Sequence, residues 1–152
     1  MSTTEDRVTL PPPPVPPTSS MIRPTLALLA GLGITALVVG PGIIIATLAM
    51  LRGVADPGAF SPSEGQLVVY LAIIAAGSFA GGLAAARITV GRSFFTVFLL
   101  ALVLFMSAMV VVFRGATDGQ VRPRWYLISQ AAVVLSASLL GGLLERRRQA
   151  KD

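Results

Sequence analysis

The chain has 152 residues, 54% of them apolar and only 12% charged, about half the charged share of an ordinary soluble domain. It has no Cys and no His, which excludes disulfides, thiol nucleophiles, imidazole bases and the usual zinc ligands. The net charge of +5 is almost all arginine, 11 Arg to one Lys. These arginines flank apolar runs, so they read as topology signals and lipid-phosphate contacts, not as a nucleic-acid surface.

Four apolar stretches of about 20 residues or more can each cross ~30 Å of hydrocarbon as a helix. They are continuous rather than alternating, which argues against a β-barrel. The expected fold is an all-α integral membrane protein with four transmembrane helices over residues 24–144. Its Arg, Ala, Gly and Val usage points to a bacterial, high-GC source, and the four spans to a multi-pass place in the cell (inner) membrane.

Residues 1–23 form a polar tail, expected to be disordered and cytoplasmic. Pro11-Pro12-Pro13-Pro14-Val15-Pro16-Pro17 favours extended polyproline II and reads as a stiff spacer more readily than as a ligand for a partner domain. The tail lacks the pattern of a signal peptide.

The first helix is expected over 24–51, opened by Pro24 in its first turn. At about 28 residues and ~42 Å it exceeds what a membrane needs. Gly40, Pro41 and Gly42 near its middle predict a kink, because proline removes a backbone hydrogen bond. Asp56-Pro57-Gly58 makes a turn in the following loop. Ser61-Pro62-Ser63-Glu64 predicts the start of the second helix, 62–87, with Ser61 as its cap. Only about five residues then precede the third helix, which makes these two antiparallel neighbours. The third helix, 93–113, lacks glycine and is rich in Phe and Met, so it is expected to be the most lipid-exposed. A loop with Asp118-Gly119 leads to Pro123, which opens the fourth helix, 123–144. Trp125 and Tyr126 sit where interfacial aromatics belong. Residues 145–152 form a basic cytoplasmic tail.

Two segments resemble each other. Ser78-Phe79-Ala80-Gly81-Gly82-Leu83 closes the second helix and leads to Arg87; Ser138-Leu139-Leu140-Gly141-Gly142-Leu143 closes the fourth and leads to Arg147. With matching features upstream, the chain reads as two duplicated two-helix hairpins in parallel orientation. In lipid, helices attract by close packing, and small residues permit it. Gly77, Ser78, Gly81, Gly82, Ser138, Gly141 and Gly142 are therefore the candidate helix-packing residues, with Ala27, Gly31 and Thr35, plus Gly33 and Gly40, supplying a similar seam on the first helix. The seams can face inward or join copies into a homo-oligomer or a larger membrane complex.

With both ends cytoplasmic, the inner side carries 8 Lys and Arg and the outer side 4, as the positive-inside rule favours. Arg87, Arg92, Arg146, Arg147, Arg148 and Lys151 are the headgroup and topology candidates, facing anionic lipid. No Asp, Glu, Lys or Arg lies deep in a span, where proton-coupled transporters usually keep one. The small four-helix multidrug exporters are similar in size, but their acidic residue in the first helix has no counterpart. Gln130 is the one intramembrane polar candidate, expected to bond a neighbouring helix. No catalytic, metal-binding or cofactor-binding residues are identified. The expected function is that of a non-enzymatic membrane protein acting by helix packing, as an accessory subunit, scaffold or lipid-organising protein. The alternative is a small passive channel or transporter.

Overall fold

The computed structural model describes residues 19–52, 61–89, 93–117 and 123–151. Four helices account for nearly all of them: α1 Ser19–Leu51, α2 Glu64–Ile88, α3 Ser93–Thr117 and α4 Arg124–Gln149. The chain is an all-α membrane protein. Three segments, Ile22–Leu51, Glu64–Ile88 and Arg124–Gln149, are long and apolar enough to cross a membrane, and α3 adds a shorter apolar run, Phe94–Val110. The turns at Asp56-Pro57-Gly58 and Asp118-Gly119, the polyproline run and Arg92 lie outside the described residues.

Two helix starts differ from expectation. α1 begins at Ser19, so Pro24 lies inside it rather than opening it; residues 19–23, expected in the tail, supply its first turn. Pro41 is also inside α1, which is assigned as helix without interruption from Ser19 to Leu51. α2 begins at Glu64, capped by Ser63 instead of Ser61. The segment holds two overlapping capping signatures, Ser61-x-x-Glu64 and Ser63-x-x-Gln66, and the second forms. The Ser63 amide donates to Gln66 Oε1 at 2.8 Å, and the Leu67 amide to the Ser63 carbonyl at 3.0 Å. The choice leaves Glu64 in the first turn, where a carboxylate complements the helix dipole.

α2 is the centre of the bundle, packed on α1 along one side and α4 along another. The order of contacts sets the directions. Moving along α2, Tyr70, Gly77 and Gly81 meet progressively earlier residues of α1: Thr47, then the Thr35 to Val39 turn, then Gly31. α1 and α2 are therefore antiparallel. Tyr70, Gly82 and Arg87 meet progressively later residues of α4: Tyr126, Ser138 and Glu145. α2 and α4 are therefore parallel. α3 lies against α4, α2 and the edge of α1.

Two apolar clusters mark the ends. Ala85, Ala86, Val97 and Leu100 gather Leu28, Leu32, Leu104 and Leu139 where α2 finishes. Leu67, Tyr70 and Tyr126 gather Ile43, Ala46, Met50, Leu71 and Leu127 where α2 starts. The start of α1 and the end of α4 share the first of these ends.

The most exposed helix is α1, not α3. Among the described residues α1 buries only Ala27, Gly31 and Thr35, whereas the shorter described part of α3 buries five residues. α3 turns Phe94, Phe95, Phe98, Met106 and Phe113 outward and buries Thr96, Val97, Leu100, Ala101 and Ala108. Its bulk lies on one side, and the residues of its inner face are mostly small. That two-sidedness lets a glycine-free helix pack closely.

Candidate helix-packing seams and the charged end

Glycines place the α2 backbone directly on its neighbours. The test is what a Cβ at each position would meet. At Gly81 it meets Thr35 Oγ1 and, at 2.6 Å, the Gly31 carbonyl oxygen of α1. At Gly77 it meets Val39 and, at 3.3 Å, the Thr35 carbonyl. The reciprocal Cβ at Gly31 meets Leu100 at 2.7 Å, the Gly81 carbonyl at 3.1 Å and Ala85 at 3.2 Å. A side chain at Gly81 has no room, and one at Gly77 or Gly31 would have to displace Val39 or Leu100 and shift the facing backbone slightly.

The α2–α4 seam is tighter still. A Cβ at Gly82 meets the Ser138 backbone, and one at Gly141 meets the Phe79 carbonyl and, at 3.0 Å, the Leu83 nitrogen. The obstacles here are backbone atoms, which cannot swing aside as a side-chain tip can. Gly142 instead faces α3, where a Cβ meets Val97 Cγ1 at 2.6 Å. Each Gly-Gly pair is thus split between two partners: Gly81 on α1 and Gly82 on α4, Gly141 on α2 and Gly142 on α3. Consecutive helix positions point about 100° apart, so a Gly-Gly pair lets one helix touch two neighbours at one level.

Within the GPG segment, Gly40 has open space around it, Pro41 is exposed, and a Cβ at Gly42 would meet Ile73 Cγ2 at 2.6 Å. Gly33 likewise has open space. Spacing along the helix, which reads Gly33 and Gly40 as seam members, does not reveal that they face outward.

Hydroxyls in the apolar region mostly bond their own helix, as short side chains near a backbone can. Thr35 Oγ1 donates to the Gly31 carbonyl at 2.8 Å, Ser138 Oγ to Val134 at 2.7 Å, and Ser107 and Ser136 do likewise. Ser78 departs from this pattern: its Oγ is buried and has no partner among the described residues. Gln130 does too. The neighbouring-helix partner expected for it is not among the described residues, and its Oε1 is buried and unpaired. One cross-helix bond escapes sequence reading. Thr47 Oγ1 donates to Ile43 at 2.8 Å, which uses its only proton, so Tyr70 must donate its hydroxyl proton to Thr47 across 2.8 Å. Tyr126, expected at the interface with Trp125, is buried beside Tyr70, with Trp125 edge-on to it at 6.1 Å.

The end where α2 and α4 finish is strongly basic. Arg87, Arg146, Arg147, Arg148 and Lys151 are exposed there. Among them sits Glu145, 8% exposed, whose Oε1 lies 3.2 Å from Arg87 Nε. Its Oε2 is buried and has no partner among the described residues. Gln149 Nε2 donates to the Ala86 carbonyl at 3.4 Å, tying the last turn of α4 to α2. From sequence Arg87 reads as a topology charge, and Glu145 falls at the start of the basic tail. Laying the two Gly-Gly segments side by side brings them near each other, and that was the available signal.

Among the described residues no group of three or more His, Cys, Asp or Glu is placed to hold a metal. Comparison with protein-family models, curated proteins and solved structures finds no match to this chain.

Proposed function

We propose that the chain is a non-enzymatic polytopic protein of the bacterial cell (inner) membrane that acts by helix packing, as an accessory subunit, scaffold or lipid-organising protein. α3 is the fourth crossing in this reading, both termini are cytoplasmic, and the exposed basic end faces anionic lipid. The Gly-Gly segments serve as close-packing elements, and the two hairpins descend from one ancestral hairpin. The observation that carries the reading is the backbone-to-backbone seam between α2 and α4. Main chain fills the space between those two helices at Gly82 and Gly141, and no Asp, Glu, Lys or Arg lies midway along the described helices to bind or pass a solute. The duplication has mixed support: α2 and α4 run parallel with partners about 60 residues apart, near the offset between the repeated segments, whereas α3 touches three helices and α1 essentially two.

Liposome flux measured beside native mass in detergent tests the function. The scaffold reading expects ion and small-solute leakage at the level of protein-free vesicles. Solute-selective flux that scales with protein would overturn it in favour of a passive channel or transporter, and a defined multimer would show where its conduit forms.

A further inference from the structure

The least explained group in the molecule is Glu145. A carboxylate accepts hydrogen bonds at both oxygens, and a buried oxygen left unpaired carries a substantial penalty. Oε1 is served by Arg87, and Oε2 by nothing among the described residues. Glu145 also lines a cleft of about 450 Å³, together with Arg148, Gln149 and Lys151. The cleft is at the end of α4, just past the apolar span, at the depth of lipid headgroups.

These groups make contradictory demands on a simple ligand. Arg148 and Lys151 call for an anion, while Glu145 calls for a donor, best a cationic one. Inorganic phosphate would answer the two cations and repel the carboxylate. A bare cation would do the reverse. A zwitterion with a phosphate at one end and a primary ammonium at the other answers both. We propose that this cleft is a binding site for an ethanolamine phosphodiester headgroup. The ammonium N–H donates to Glu145, and the phosphate oxygens accept from Arg148 and Lys151. Choline phosphodiesters have the same charges but no N–H on the cation, so they cannot donate a hydrogen bond to the Glu145 carboxylate. Arg146 and Arg147 are exposed and do not line the cleft, and they remain available to anionic lipid.

The proposal rests on this end of the bundle meeting headgroups. Full-length protein in detergent would be titrated with phosphatidylethanolamine, phosphatidylcholine and phosphatidylglycerol of identical chains, and retained lipid counted by native mass spectrometry. The ethanolamine lipid should be retained about tenfold over the choline lipid, the ratio one charge-assisted hydrogen bond commands. Glu145→Gln should bring the two to parity while leaving phosphatidylglycerol retained. Replacing both Arg148 and Lys151 by Gln, at exposed positions where folding is not at stake, should weaken ethanolamine and choline lipids together. Soluble glycerophosphoethanolamine separates the sources: displacement at millimolar concentration means the free headgroup also binds, and no displacement means the lipid alone does. Equal retention of the two lipids by the parent chain, or a preference that survives Glu145→Gln, overturns the proposal. Loss of every lipid by the parent would instead defeat the reading of this end as a headgroup surface.

Discussion

At the scale of single residues, glycine is doing opposite things at positions that look alike in sequence. Gly82 and Gly141 have backbone where a side chain would go, whereas Gly33 has open space. In Gly82→Ala or Gly141→Ala the new methyl must push α2 and α4 apart, an overpacking cost of about 1–3 kcal/mol. The same change at Gly33 meets nothing and replaces the poorest non-proline helix former with the best, a gain of about 0.5–1 kcal/mol. Thermal melting of all three variants in one detergent should therefore give two lowered midpoints and one equal or raised. Equal melting of all three would mean that the α2–α4 seam is not closely packed. The three glycines differ only in which way they point, and that depends on where the neighbouring helices lie. The candidate residues were thus legible in sequence as a type, and Gly77, Gly81, Gly82, Gly141 and Gly142 do lie between helices, but Gly33 and Gly40 could not be told from them by spacing. Glu145 was missed for the same reason: its burial comes from α2, not from its own surroundings in sequence.

At the scale of elements, the four helices were legible because lipid imposes a length and an apolarity on anything that crosses it. Their starts were harder to read where signals overlap. Ser61 and Ser63 both open a capping pattern, and the choice between them rests on one hydrogen bond to Gln66. The exposure of α3 was misjudged because its large residues are conspicuous and its small inner face, Thr96, Ala101 and Ala108, is not. The two faces make a prediction. Ala101 is 1% exposed and Leu102, beside it, is 43% exposed. Ala101→Leu should lower the melting midpoint by the equivalent of about 1–3 kcal/mol, as extra bulk in a packed site does. Leu102→Ala should cost little, since that side chain meets lipid folded or unfolded within the membrane. The reverse order would place the Phe face of α3 inward and redraw the bundle.

At the scale of the whole molecule, the bundle separates charge between its two ends. The start of α1 and the ends of α2 and α4 bring Arg23, Arg87, Arg146, Arg147, Arg148 and Lys151 together, with Glu145 as the acid among them. The opposite end holds Arg52 just past α1, Arg114 and Arg124 at helix positions, and Glu64. Among the described residues, six basic residues against three is the asymmetry that retains a membrane protein's basic side in the cytoplasm during insertion. It also agrees with the headgroup cleft, because anionic surfaces attract such a cluster by about 1 kcal/mol per Lys or Arg near the surface. Cysteine can report the orientation directly, since the chain has none of its own. Ser19 stands at the start of α1, at the basic end, and Ser61 precedes α2 at the other end and is exposed. Ser61→Cys should react with an impermeant thiol reagent added to intact cells, and Ser19→Cys only after the membrane is opened. Raising the positive charge at the Ser61 end, by Glu64→Lys together with Gly65→Lys at exposed positions that leave the reporter cysteine in place, should erode that difference in proportion to the lost asymmetry. Labelling of Ser19→Cys from outside would invert the orientation and, with it, put the Glu145 cleft on the outer leaflet.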